Sequence, residues 1–117
     1  MIKENKNNKE ETNKEEVPDY LGHRQRLRLR FVSDDGASMP DYELLELILM
    51  YAIPRRDVKP LAKSLIRQYG SLAGVLTTPS KELVKVSGIG LNVAVLCSLF
   101  HACSNKICWE NLENKDD

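Results

Sequence analysis

The sequence predicts an all-α domain, and three observations carry that expectation. Apolar residues recur at helical spacing through Leu44, Leu45, Ile48 and Leu49, and again from Val58 to Tyr69. Pro54, Gly70, Pro79 and the triplet Gly88-Ile89-Gly90 punctuate these periodic segments. No strand run bounded by hairpin-turn signals is present in the sequence. The expected architecture is a small bundle of about five helices with one glycine-rich hairpin, between disordered N- and C-terminal tails. Residues 1–17 are read as the first tail, 18–105 as the domain and 106–117 as the second tail.

The first tail is Lys, Glu and Asn with almost no apolar side chains, too few to offset the entropy of ordering it. The first element of the domain, Leu21 to Val32, is ambiguous by periodicity. Polar and apolar residues alternate from Arg26 to Phe31, as in a strand. Leu27 and Phe31, four apart, would instead share one face of a helix, and Arg, Gln and Leu favour helix. Ser33-Asp34-Asp35-Gly36 then stops the element, whichever it is.

The second element runs from about Met39 to Tyr51, with Ser38 or Asp41 as cap and acids in its first turn. Pro54 stops it, because the ring lacks an N–H and restricts Ile53. A third helix follows over Val58–Tyr69, capped by Asp57 and ended by Gly70, with Pro60 tolerable in its first turn. Ser71–Leu76 reads as a short helical turn. Ser80 caps Lys81–Val86, and Leu91 to about Cys103 is the last helix. Tyr51–Arg56 lies between two helices as Gly88–Gly90 does, a faint internal echo without the glycines.

Formal charges cancel over the whole chain but not locally. Residues 1–17 hold four Lys and five Glu, a net of −1; residues 18–110 net +3; residues 111–117 net −2. A core at +3 suits weak anion binding and is equally ordinary for a soluble domain. Residues 1–5 lack the apolar stretch of a signal peptide, and the mostly apolar run Val93–Cys103 falls short of the ~20 residues that span a bilayer. The expectation is a cytoplasmic protein with no membrane partner. Three cysteines imply no disulfide framework.

The hairpin has a physical logic for binding phosphate. Glycines permit positive φ and close backbone approach, while Ile89 plugs the gap between the helices it joins. N–H groups of Gly90, Leu91 and Asn92 open the last helix, where unpaired donors and the positive end of the dipole suit a phosphate oxygen. Lys85 and Asn92 are the nearest polar side chains in sequence, and Ala94 allows close helix packing. The same turn also serves as a plain interhelical joint or a protein-docking module.

Arg24, Arg26, Arg28 and Arg30 form a basic run with no acid between Asp19 and Asp34. Phosphate contact and a solvated face paired with nearby acids both stay open. On either account, exchanging Arg24 and Arg28 for Gln should leave folding intact. Arg55 and Arg56, with Lys59 and Lys63, form a second basic group at a turn, partly neutralised by Asp57.

Cys97 and His101 stand at i and i+4, but Cys103 points about 240° round the helix from Cys97 and no Cys-x-x-Cys pair exists. No metal and no cofactor is expected. His23 and His101 sit in different elements, and no His-x-His, His-Glu-x-x-His or Gly-x-Ser-x-Gly motif occurs. The chain is not expected to be an enzyme.

Taken in order, Gly22–Arg28 with Arg30-Phe31, Asp41–Leu47, Tyr51–Ala62, Tyr69–Leu72 and Val86–Gly90 resemble the N-terminal domain of the RadC, or UPF0758, family. The resemblance covers about Pro18 to Ala102. It implies that the Arg-rich element is a helix, that the domain is of helix-hairpin-helix type, and that it carries the family's historical association with DNA repair. Members of that family continue into a JAB/MPN metalloprotease-like domain with a His-x-His…Asp zinc site, which this sequence lacks. The expected function is therefore non-catalytic, weak and sequence-independent DNA binding. The expected contacts are Arg24, Arg28, Arg55, Arg56, Lys85, Gly88, Ile89, Gly90 and Asn92. The alternatives are a module that docks a protein partner or a metalloprotease-like domain, and a truncated remnant of a longer family member.

Overall fold

A computed structural model describes residues 19–116. The expectation for the N-terminal tail lies outside the described residues. Six helices follow one another: α1 Asp19–Asp34, α2 Asp41–Ala52, α3 Lys59–Tyr69, α4 Leu72–Leu76, α5 Ser80–Leu83 and α6 Leu91–Asp116. Among the described residues there is no strand, so the fold is all-α.

The Arg-rich element is helix, and its alternation is accounted for by Leu29, which stands exposed. Leu27 is buried and Phe31 half-buried, the shared face that four-residue spacing predicts. The helix ends through Asp35 at φ +54° and Gly36 at φ +85°. Gly36 is required there, since a Cβ would stand 2.8 Å from the Phe31 ring. Asp34 ties off the turn by accepting from the backbone N–H groups of Gly36 and Ser38 at 3.0 and 3.1 Å. The Ser38 hydroxyl first, and these N–H groups with it, hold the Asp34 carboxyl below its ordinary range.

The caps differ in detail from the sequence expectation. Pro40 precedes α2 and no side chain caps it. Asp41 instead accepts from the Leu72 N–H at 2.9 Å, which pins the start of α2 to the start of α4. Asp57 accepts from the Lys59 N–H at 3.0 Å, and Gly70 closes α3 at φ +89°. Ser71 caps α4 through the Gly74 N–H at 3.0 Å, whereas Ser80 caps nothing.

One core joins α2 to α6: Leu45, Leu49, Met50, Val58, Ala62, Leu65, Val75, Leu83, Ile89, Val93, Ala94 and Cys97. Burial pushes the Cys97 thiol up, as a small apolar core residue should show. Cys103 and Cys108 are exposed, and no group of three His, Cys, Asp or Glu side chains among the described residues could hold a metal ion.

The last helix departs most from expectation. It runs to Asp116, so residues 106–116, expected as a tail, are helical. The physical reason is plain: no Gly or Pro occurs after Gly90 to stop it. Its 26 residues extend about 39 Å at 1.5 Å per residue. Only the first turns reach the core; every described side chain from Leu99 to Asn114 is exposed. By length and composition Leu91–Asn114 is apolar enough to cross a membrane, although Val93, Ala94 and Cys97 sit in the core.

Candidate nucleic-acid interface

Between α5 and α6 the chain makes the glycine hairpin that the sequence singled out. Gly88 takes φ +90°, a conformation that favours glycine. Ile89 is only 6% exposed and belongs to the core, as a plug between helices should. Its N–H is donated to Val86 O at 3.0 Å. Ile89 therefore positions the hairpin, and neither its side chain nor its N–H is free for a phosphate. Gly90 is not held at positive φ, and a Cβ there would meet nothing within 4 Å, so its conformation does not demand glycine. Gly90 O accepts the Ala94 N–H at 3.0 Å, which starts the α6 ladder. The N–H groups of Leu91, Asn92 and Val93 precede that first rung and have no intrahelical acceptor. Leu91 and Asn92 are exposed, and Lys85 is exposed beside Glu82 at 3.4 Å.

The four arginines of α1 meet four different fates. Arg24, expected at the surface, is 4% exposed. Its guanidinium donates to the carbonyls of Met50 at 3.3 Å, Ile53 at 2.8 Å and Pro54 at 3.0 Å, and to Arg56 O, with the Tyr20 ring stacked 4.7 Å away. The cause lies in Pro54. A residue with an N–H there would bond Met50 O and extend α2; proline cannot, and Arg24 supplies the missing donor. As a phosphate contact Arg24 is thus corrected: it organises the turn after α2. Arg30 pairs with Glu43, and this hydrogen bond, with the charge behind it, raises the arginine further. Arg28 remains accessible, lying over Tyr51 at 5.5 Å and donating to Gln25 at 3.2 Å. Arg26 is exposed.

The turn held by Arg24 carries Arg55 and Arg56, both exposed. Arg56 reaches the hairpin and donates to Gly88 O at 3.1 Å. The two interhelical turns that the sequence only faintly related are therefore side by side. Arg55, Arg56, Gly88, Gly90 and Asn92 are brought into one region, with Lys85 just before it in the chain. Arg28 is tied instead to Tyr51 and Gln25 on α1 and α2.

Sequence reasoning missed a second group. Tyr20, His23 and Arg26 follow one another at i, i+3 and i+6 on α1, and with Asp57 and Lys59 they line a polar cleft of about 180 Å³. His23 is held from behind by Glu46, Nε2 to Oε2 at 2.8 Å. Glu46 is 2% exposed, and its other oxygen has no hydrogen-bond partner. The i, i+3, i+6 spacing was the available signal, since it marks one helix face once the element is known to be helical.

On another side, Phe31, Leu44, Leu47, Ile48, Tyr51 and Phe100, with α4, line an apolar groove of about 380 Å³.

Comparison with known proteins adds one line of kinship. The chain is 44% identical over 92 residues to a UPF0758 protein of Ruegeria pomeroyi, a match that covers 78% of this chain and 41% of the relative. The chain thus spans less than half the length of that curated relative. No family model matches the chain, and no solved structure matches it.

Proposed function

Because this chain belongs to the UPF0758, or RadC, family, we propose that its helical domain binds DNA weakly and without sequence preference, by gripping backbone phosphates. The observation that carries this is the Arg56–Gly88 hydrogen bond, which sets the basic turn against the hairpin. Arg55 and the outward side of Arg56 supply positive charge. The N–H groups at the start of α6 and the Asn92 amide supply directed donors, and Arg28 and Lys85 add charge at greater distance. Charge contacts of this kind carry no sequence information, which accounts for the absence of preference. The proposed role is non-catalytic.

Titration of a fluorescent duplex by anisotropy tests this. The expected Kd is roughly 10⁻⁴ to 10⁻⁶ M at moderate salt, weakening steeply as salt rises. Arg55→Gln with Arg56→Gln should weaken binding by about tenfold while the domain stays folded. No binding at low salt would overturn the proposal.

Docking of a protein partner has its own support in the apolar groove beside Phe100 and in the exposed Ile107, Trp109 and Leu112 of α6. Partner capture that ignores salt, with no retention of DNA, would favour that role.

A further inference from the structure

The cleft between α1 and the start of α3 is a seat for a phosphate group: this is what the geometry points to, in addition to the hairpin. It rests on the DNA-binding proposal for the source of the phosphate and goes beyond it in naming a second contact, made of side chains that the proposal does not use.

Polar side chains line it from two elements: Tyr20, His23 and Arg26 from α1, and Lys59 from the start of α3. Each is matched to an oxyanion: Arg26 by its planar fork, Lys59 as a point charge, Tyr20 as a hydroxyl donor. Two of these side chains are held in place by neighbours. Tyr20 is stacked on the buried Arg24, and His23 is anchored through Nε2 to the buried Glu46. The anchor leaves Nδ1 as the ring's second nitrogen, a donor when the imidazole carries both protons.

Asp57 is the one acid lining the cleft, and its Oδ1 accepts from the Lys59 N–H at 3.0 Å. Arg26 and Lys59 outweigh its single charge, and behind the lining the Glu46 carboxylate on His23 is offset by the Arg24 guanidinium on Tyr20, so the cleft is net positive. A volume of about 180 Å³ admits a phosphate group. The cleft is continuous with the hairpin region along the chain, since Asp57 and Lys59 directly follow the turn that Arg24 and Arg56 fix.

Nuclear magnetic resonance on the full chain tests the assignment with two probes, inorganic phosphate at constant ionic strength and a short blunt duplex. The expected result is that both shift the His23 and Lys59 signals. Arg26→Gln with Lys59→Gln should abolish the His23 shift, lower duplex affinity by 3- to 10-fold and reduce the salt slope by about one unit. Arg26→Gln alone, at an exposed site, serves if the double variant melts early. Shifts with inorganic phosphate but not with a duplex that still binds would overturn the nucleic-acid source and leave free phosphate as the ligand. A duplex that binds with unchanged affinity and slope in the variant would overturn the cleft while leaving the DNA-binding proposal intact. No binding of either probe would overturn both.

Discussion

Arg24 and Arg28 stand one turn apart on α1, and the fold gives them different surroundings. Arg24 meets four carbonyls at the end of α2 and in the turn after it, one of which, Met50 O, loses its helical donor to Pro54. Arg28 meets the face of Tyr51 and the Gln25 amide. In the sequence both are members of one basic run, and nothing local separates them. The separating information is 30 residues away, in the missing N–H of Pro54. Exchange of Arg24 for a neutral side chain is therefore not innocuous, contrary to the sequence expectation. Arg24→Ala leaves buried carbonyls unsatisfied and a void beside Tyr20, and should cost about 2–4 kcal/mol in chemical denaturation. Arg28→Ala, at a partly exposed site, should cost less than about 1 kcal/mol. Equal losses for the two variants would contradict the division of roles.

At the scale of the element, α2, α3 and the hairpin were legible because their signals are local. Apolar spacing, Pro54, Gly70 and Gly88 act within a turn of where they stand. Two features were not legible from periodicity. The strict alternation from Arg26 to Phe31 imitates a strand, and the burial of Leu27 and Arg24 on one side of α1 shows the helix. The end of α6 carries no stop signal, because no Gly or Pro follows Gly90 and only a shift to polar composition marks the residues after Cys103. That helix has an uneven environment, with Val93, Ala94 and Cys97 in the core and all described side chains past Ser98 exposed. Isolated helical segments of about a dozen residues are marginal in water. Amide hydrogen exchange should therefore protect Ala94–Cys97 to near the global stability, and the amides of Asn105–Asn114 by at least tenfold less. Uniform protection along α6 would mean that something covers its distal half, and Trp109, exposed here, would then be quenched or blue-shifted in fluorescence.

At the scale of the molecule, the candidate interface is an assembly of turns that no single motif specifies. The hairpin was visible in Gly88-Ile89-Gly90, yet Ile89 proves to be core and Gly90 conformationally ordinary. The basic turn was visible in Arg55-Arg56. Their adjacency was not, because it depends on Arg24 fixing one turn and Arg56 bridging to the other. Arg26 and Lys59 were passed over for the same reason: they belong to separate basic groups in sequence and to one cleft in space. The apolar groove faces a different set of residues, so DNA contact and protein docking have distinguishable footprints.

Mapping those footprints by amide chemical shifts, as a short duplex is added to the labelled full chain at low salt, tests the central claim most directly. Perturbations are expected at residues 55–59 and 88–92, fading together as salt is raised. Perturbations confined to Phe31, Leu44, Leu72 and Phe100 around the groove, or none anywhere, would contradict it.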